Sequence, residues 1–164
     1  MKKLIATVVF PLVLAGCAGF GGTPPVPGER MEAVKAKLGQ PTATYSAGTE
    51  TILEYATGPF GQYTWMARFG TDGALQSYEQ VLTDAKFATI RIGSDDKETI
   101  LRTFGRPAEK SYLALRDMQV WSYRYKQSGV WDSMMHVHFD RNGIVRELMA
   151  GPDPDKEEKR GFFR

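Results

Sequence analysis

Two kinds of hydrophobic periodicity alternate along residues 28–150, and each occurs twice. Met31, Val34 and Leu38 recur at helical spacing ahead of Gly39 and Pro41. Ile100, Leu101 and Phe104 do the same ahead of Gly105 and Pro107. Apolar positions three and four residues apart line one face of a helix. Glycine suits the positive φ that follows a last turn, and a proline soon after forbids continuation. Ser94 or Asp95 can cap the second helix, with Glu98 supporting its first turn. Thr83 to Ile90 predicts one further short helix, capped by Thr83. After each helix the period shortens to two. Trp121, Tyr123 and Tyr125 alternate with Ser122, Arg124 and Lys126, and Met135, Val137 and Phe139 alternate with His136 and His138. This pattern predicts antiparallel strands with one buried face. Asp72-Gly73 and Asn142-Gly143 are favoured turns between strands.

These segments form an internal repeat. Leu38-Gly-Gln-Pro41 recurs as Phe104-Gly-Arg-Pro107, and Leu53-Glu-Tyr55 as Trp121-Ser-Tyr123. Phe69 to Leu75 recurs as Phe139 to Val145. Three anchors in one order define two tandem units, residues 28–82 and 83–150. The expected fold is α+β, with helices packed on antiparallel three-stranded sheets. The first unit lacks the leading helix that Thr83–Ile90 supplies to the second. Residues 151–164 read as a charged flexible tail.

The N-terminus breaks this pattern. Met1-Lys2-Lys3 precedes an apolar run from Leu4 to Leu14, then Ala15-Gly16-Cys17. A basic start, a short apolar segment and small residues make a secretory signal. As a helix the run reaches about 16 Å at ~1.5 Å per residue, short of a ~30 Å hydrocarbon core. Leu14-Ala-Gly-Cys17 is similar to the lipobox of bacterial lipoproteins. That resemblance implies a signal peptide over residues 1–16, diacylglycerol on the Cys17 thiol and acylation of its freed amino group. Cys17 thus anchors the chain in a lipid bilayer, and Gly/Pro-rich residues 17–27 form a tether. Ala18 in place of aspartate favours the outer membrane. Without Lys2 and Lys3, 19 of the 21 basic side chains remain against 19 acidic ones. A balanced chain argues against a nucleic-acid partner.

With the lipobox, the Leu/Phe-Gly-x-Pro helix ends, Trp121-Ser-Tyr123, and Phe139 with Gly143 before the last strand, the chain resembles the SmpA/OmlA (BamE-like) family of outer-membrane lipoproteins. Gln80 to Gly93 is similar to that family's lead-in. The resemblance spans residues 28–150. The tandem format resembles the β-lactamase-inhibitor-protein architecture, whereas a typical BamE-like chain has one unit. The resemblance implies a non-catalytic lipoprotein on the periplasmic face of the outer membrane, binding partners in the β-barrel assembly machinery. Alternatives are a periplasmic inhibitor or chaperone-like module, and an envelope enzyme.

Candidate chemistry adds little to this. No Gly-x-Ser-x-Gly, phosphate-binding glycine loop or His-Glu-x-x-His occurs. The single cysteine is expected to be acylated. No catalytic residue, metal, cofactor or small-molecule substrate is expected. His136 and His138 have a spacing compatible with two metal ligands, yet no further ligands are identifiable and both read as solvent-side residues. Asp153, Asp155, Glu157 and Glu158 read as solvated tail charges. Phe162 and Phe163 end that tail either inertly or as a short anchor for a partner. Most aromatics, Trp65, Trp121, Tyr55, Tyr63, Tyr123 and Tyr125 among them, are expected in the core. Trp131 is expected exposed, in a hairpin loop over Gln127–Asp132. Arg124, Lys126, His136 and His138 are expected to share a basic solvent face beside Trp131, suited to an acidic partner or anionic lipid.

Overall fold

A computed structural model of the chain describes residues 23–58 and 60–156. The signal segment, Cys17, Phe162 and Phe163 lie outside the described residues. Helix α1 (Met31–Leu38) leads into β1 (Ala43–Ala47), β2 (Glu50–Ala56), β3 (Thr64–Phe69) and β4 (Leu75–Gln80). Helices α2 (Asp84–Phe87) and α3 (Lys97–Phe104) precede β5 (Glu109–Leu113), β6 (Met118–Gln127), β7 (Trp131–Phe139) and β8 (Val145–Pro152). The strands form two antiparallel sheets, ordered β1-β2-β3-β4 and β5-β6-β7-β8. The fold is α+β, but each sheet has four strands where alternation predicts three. β1 and β5 are edge strands. Every residue of β5 is exposed, and β1 alternates between half-buried and exposed.

The helix ends follow from local chemistry. Thr83 caps α2, its hydroxyl accepting from the Lys86 N–H at 3.1 Å. Asp96, not Ser94 or Asp95, caps α3 by accepting from the Thr99 N–H at 2.8 Å. Asp95 closes the preceding turn instead, accepting from the Arg91 backbone at 2.9 Å and its guanidinium at 3.0 Å. Gly39 (φ 83, ψ −163) and Gly105 (φ 79, ψ −163) end α1 and α3 in nearly the same conformation, open only to glycine. Their N–H groups bond the carbonyls of Lys35 and Leu101.

The two halves match in finer detail. Arg30 bridges Ala74 as Asp96 bridges Ile144. Thr42 N–H donates to the Glu54 carbonyl as Ala108 N–H donates to that of Ser122. The third strand of each sheet shifts register at its end, at Arg68/Phe69 and at His138/Phe139.

The elements stack in four layers. One face of the first sheet, with Leu53, Tyr55, Ala67, Phe69 and Leu75, packs on Val34 of α1. Its other face, with Ile52 and Met66, joins a larger core with Phe87, Ile100 and Phe104 of the middle helices. Trp121, Tyr123, Tyr125, Met135, Val137 and Phe139 of the second sheet complete that core. Phe87 stacks on Phe104 at 4.8 Å and meets Tyr125 edge-on at 5.1 Å. Not every expected core aromatic is inside: Tyr63 is exposed, and Trp65 is half-buried in stacked contact with Tyr78. Residues 151 and 152 belong to β8 and Asp153 is fully buried, so residues 151–153 are folded rather than a flexible tail.

Candidate interaction site

Register places Arg124, Lys126, His136 and His138 on one sheet face, whereas Trp131, opposite Gln127, falls on the other. β6 and β7 pair Ser122 with His136, Val120 with His138 and Lys126 with Asp132. Arg124 lies between them opposite Met134. The assignment to the face opposite Trp121, Tyr123 and Tyr125 therefore holds. The expectation that this face is basic and solvent-exposed does not.

Arg124 is only 3% exposed. Its guanidinium contacts the carboxylates of Asp153 at 2.8 Å, Asp155 at 2.7 Å and Glu109 at 2.5 Å. Burial disfavours its charge, but the three acids outweigh that and raise its pKa. Lys126 pairs with Asp132 at 2.8 Å, and Gln62 also donates to Asp132 at 2.6 Å. The Lys126 and Gln62 contacts lower the Asp132 pKa. His138 is 4% exposed, 3.9 Å from Glu147, and burial lowers its pKa. His136 is half-buried, its Nδ1 lies 2.8 Å from the Ser122 hydroxyl, and burial lowers its pKa too. Acids paired to both cations and imidazoles biased to the neutral form leave no basic patch here. Among the described residues, no group of three or more His, Cys, Asp and Glu is placed to hold a metal.

Trp131 is exposed, as expected, but it is the first residue of β7 rather than part of the loop. The turn itself is Ser128-Gly129-Val130, with φ 50 at Ser128 and φ 72 at Gly129.

The most exposed large apolar residue among the described residues, Leu115, lies elsewhere, at the tip of the β5–β6 hairpin. Tyr112 and Leu113 are exposed, and Leu115, in a short 3-10 turn over Ala114–Arg116, is completely so. The tip is nonetheless held in place. Asp117 adopts a left-handed conformation (φ 50, ψ 48) and accepts a hydrogen bond from the Tyr112 hydroxyl. Arg141 pairs with Asp117 at 3.2 Å, and Arg116 pairs with Glu147 of β8 at 2.8 Å. An apolar tip held this way loses little conformational entropy on binding. Its trace in the sequence is Tyr112-Leu-Ala-Leu115, four apolar residues in a row where a half-buried strand would alternate.

No family model matches the chain, and no curated protein matches it. A solved structure similar to it is that of a DUF4309 family protein, YjgB, from Bacillus subtilis. The likeness has a TM-score of 0.33 and 12% identity, covering 76% of this chain and 78% of that one.

Proposed function

We propose that the chain is a lipid-anchored, non-catalytic module that binds a protein partner at the periplasmic face of the outer membrane. In this reading it consists of two tandem BamE-like units and serves assembly or maintenance of that membrane. The observation that carries it is the β5–β6 hairpin tip, where Leu115 is fully exposed on a turn tied down by Tyr112, Arg116 and Asp117. Monomeric surfaces tolerate scattered apolar residues, but a run of them on a fixed protrusion suits insertion into a partner's pocket. Burying Leu115 contributes about 1.5–3 kcal/mol. Anchoring through Cys17 adds to this without new contacts, because confinement raises the effective concentration of neighbours on the same membrane.

Affinity purification of the full chain in mild detergent, followed by mass spectrometry, tests this reading. Outer-membrane assembly proteins are expected with the unaltered chain and lost with the double variant Leu113→Ser, Leu115→Ser. Intact-mass measurement is expected to show acyl mass on a chain beginning at Cys17. Recovery of a single soluble enzyme instead would favour an inhibitor, and an unacylated soluble protein would remove the anchor.

A further inference from the structure

Where the first sheet meets the second, a cleft of ≈ 270 Å³ opens between Gly58 and Gly61 on one side and Arg106, Pro107 and Ala108 on the other. That size lies near the lower end of ligand pockets, roughly 300–1,000 Å³. Leu82, Pro107, Ala108 and Tyr123 line it together with the charged residues Glu54, Arg106 and Arg124. These three charged groups are not equally available. Glu54 is buried and accepts from the Thr42 hydroxyl at 2.9 Å, the Tyr45 hydroxyl at 2.5 Å and the Arg106 N–H at 3.1 Å. Arg124 holds three carboxylates.

Arg106 differs from both. Its side chain is exposed and lies near the Tyr45 hydroxyl. Among the described residues, every other arginine except Arg30 lies within 4.0 Å of a carboxylate, and Arg30 donates to the Asp72 carbonyl. A guanidinium has five N–H donors, so Arg106 keeps a fork available at the cleft mouth. Glu54, on the inner side, repels a second negative charge at depth. An anion is therefore accommodated at the mouth on Arg106, with an uncharged body directed inward.

We propose that this cleft binds a small carboxylate with a compact apolar body, its carboxylate paired with Arg106 and its body against Leu82, Pro107 and Tyr123. Arginine and carboxylate match as two parallel charge-assisted hydrogen bonds, which sets the selectivity for acid over amide. The site is independent of the hairpin tip and of the partner-binding reading.

Titration of the full chain with 4-phenylbutyrate and with its amide, followed by amide NMR shifts, tests the proposal. Saturable shifts confined to Thr42, Thr64 and Ala108 and their neighbours are expected, with the acid binding about tenfold tighter than the amide, or ~1.4 kcal/mol. Arg106→Gln is expected to bring the acid to the affinity of the amide, while Arg30→Gln changes neither. The acid–amide comparison needs no variant, so it stands even if Arg106→Gln perturbs folding. Equal affinities for acid and amide, shifts scattered away from the cleft, or an unchanged acid affinity in folded Arg106→Gln would each overturn it.

Discussion

Arg124 and Asp153 lie 29 positions apart, yet they form a buried ion pair, 2.8 Å long and 3% and 0% exposed. Removing one member of such a pair leaves the other charged in a medium that solvates it poorly. Arg124→Ala is accordingly expected to cost about 3–5 kcal/mol in urea unfolding. Asp155 and Glu109, which are about half exposed, are expected to cost ~1 kcal/mol or less when truncated. Wild-type stability in Arg124→Ala would show that the pair contributes nothing. The histidines give a second expectation at this scale. Burial holds His136 and His138 below the ordinary imidazole pKa of ~6.5 that the unfolded chain retains. Between the depressed folded values and ~6.5 the unfolded chain binds more protons, so stability rises with pH across that window. Above it both states are neutral, and below it both are charged. Acidification from about pH 7.5 is therefore expected to lower the urea midpoint, and less so in His138→Gln. Asp96, Asp132 and Asp140, also depressed, act in the same direction only below ~4 and are separable by pH. A midpoint that stays flat down to pH 5, or an equal slope in the variant, would contradict this assignment.

The two helix ends provide a comparison at the scale of elements. Gly39 and Gly105 share a conformation that costs another residue about 1–3 kcal/mol. A Cβ on Gly39 meets nothing within 4 Å, whereas one on Gly105 lies 2.6 Å from the Glu54 carboxylate. Gly105→Ala is expected to lose clearly more stability than Gly39→Ala in parallel denaturation curves, and equal losses would mean that Glu54 yields freely. Phe104→Ala is expected to cost about 3–5 kcal/mol, since Phe104 is buried and stacked on Phe87. Leu38, only half-buried, is expected to cost less. These helix ends were legible because glycine, proline and apolar spacing are local signals. β6 and β7 were legible because their inner faces are aromatic or aliphatic at every second residue. β1 and β5 were not, because β1 is five residues long with none fully buried, and β5 is exposed throughout and so carries no alternation. The candidate site was half legible for a related reason. Alternation assigns Arg124 and His138 to a face but does not say whether that face is covered. The acids that neutralise Arg124 include Asp153 and Asp155, distant in sequence and in a segment that reads as solvated tail.

At the scale of the whole molecule, neither unit completes its own core. Ile52 and Met66 of the first sheet share a cluster with Phe104, Tyr123 and Val137 of the second half. Arg68 of β3 donates to the Arg102 carbonyl of α3 at 3.0 Å, and buried Glu54 accepts from the Arg106 backbone. A unit of about 60 residues buries only ~60% of the surface its unfolded chain exposes, so each half is marginal alone. Losing the shared layer would leave Ile52, Met66 and Glu54 facing water on one side, and Ile100 and Phe104 on the other. The repeat therefore encodes two similar halves but one folding unit, and a single cooperative transition is expected. Two variants make this measurable: Trp121→Phe with Trp131→Phe leaves Trp65 as reporter of the first half, and Trp65→Phe with Trp131→Phe leaves Trp121 as reporter of the second. Once each curve is corrected for its own variants by circular dichroism, both fluorescence signals are expected to change at the same urea concentration as the backbone signal. A first-half transition resolved from the second would show that the shared helical layer does not couple them.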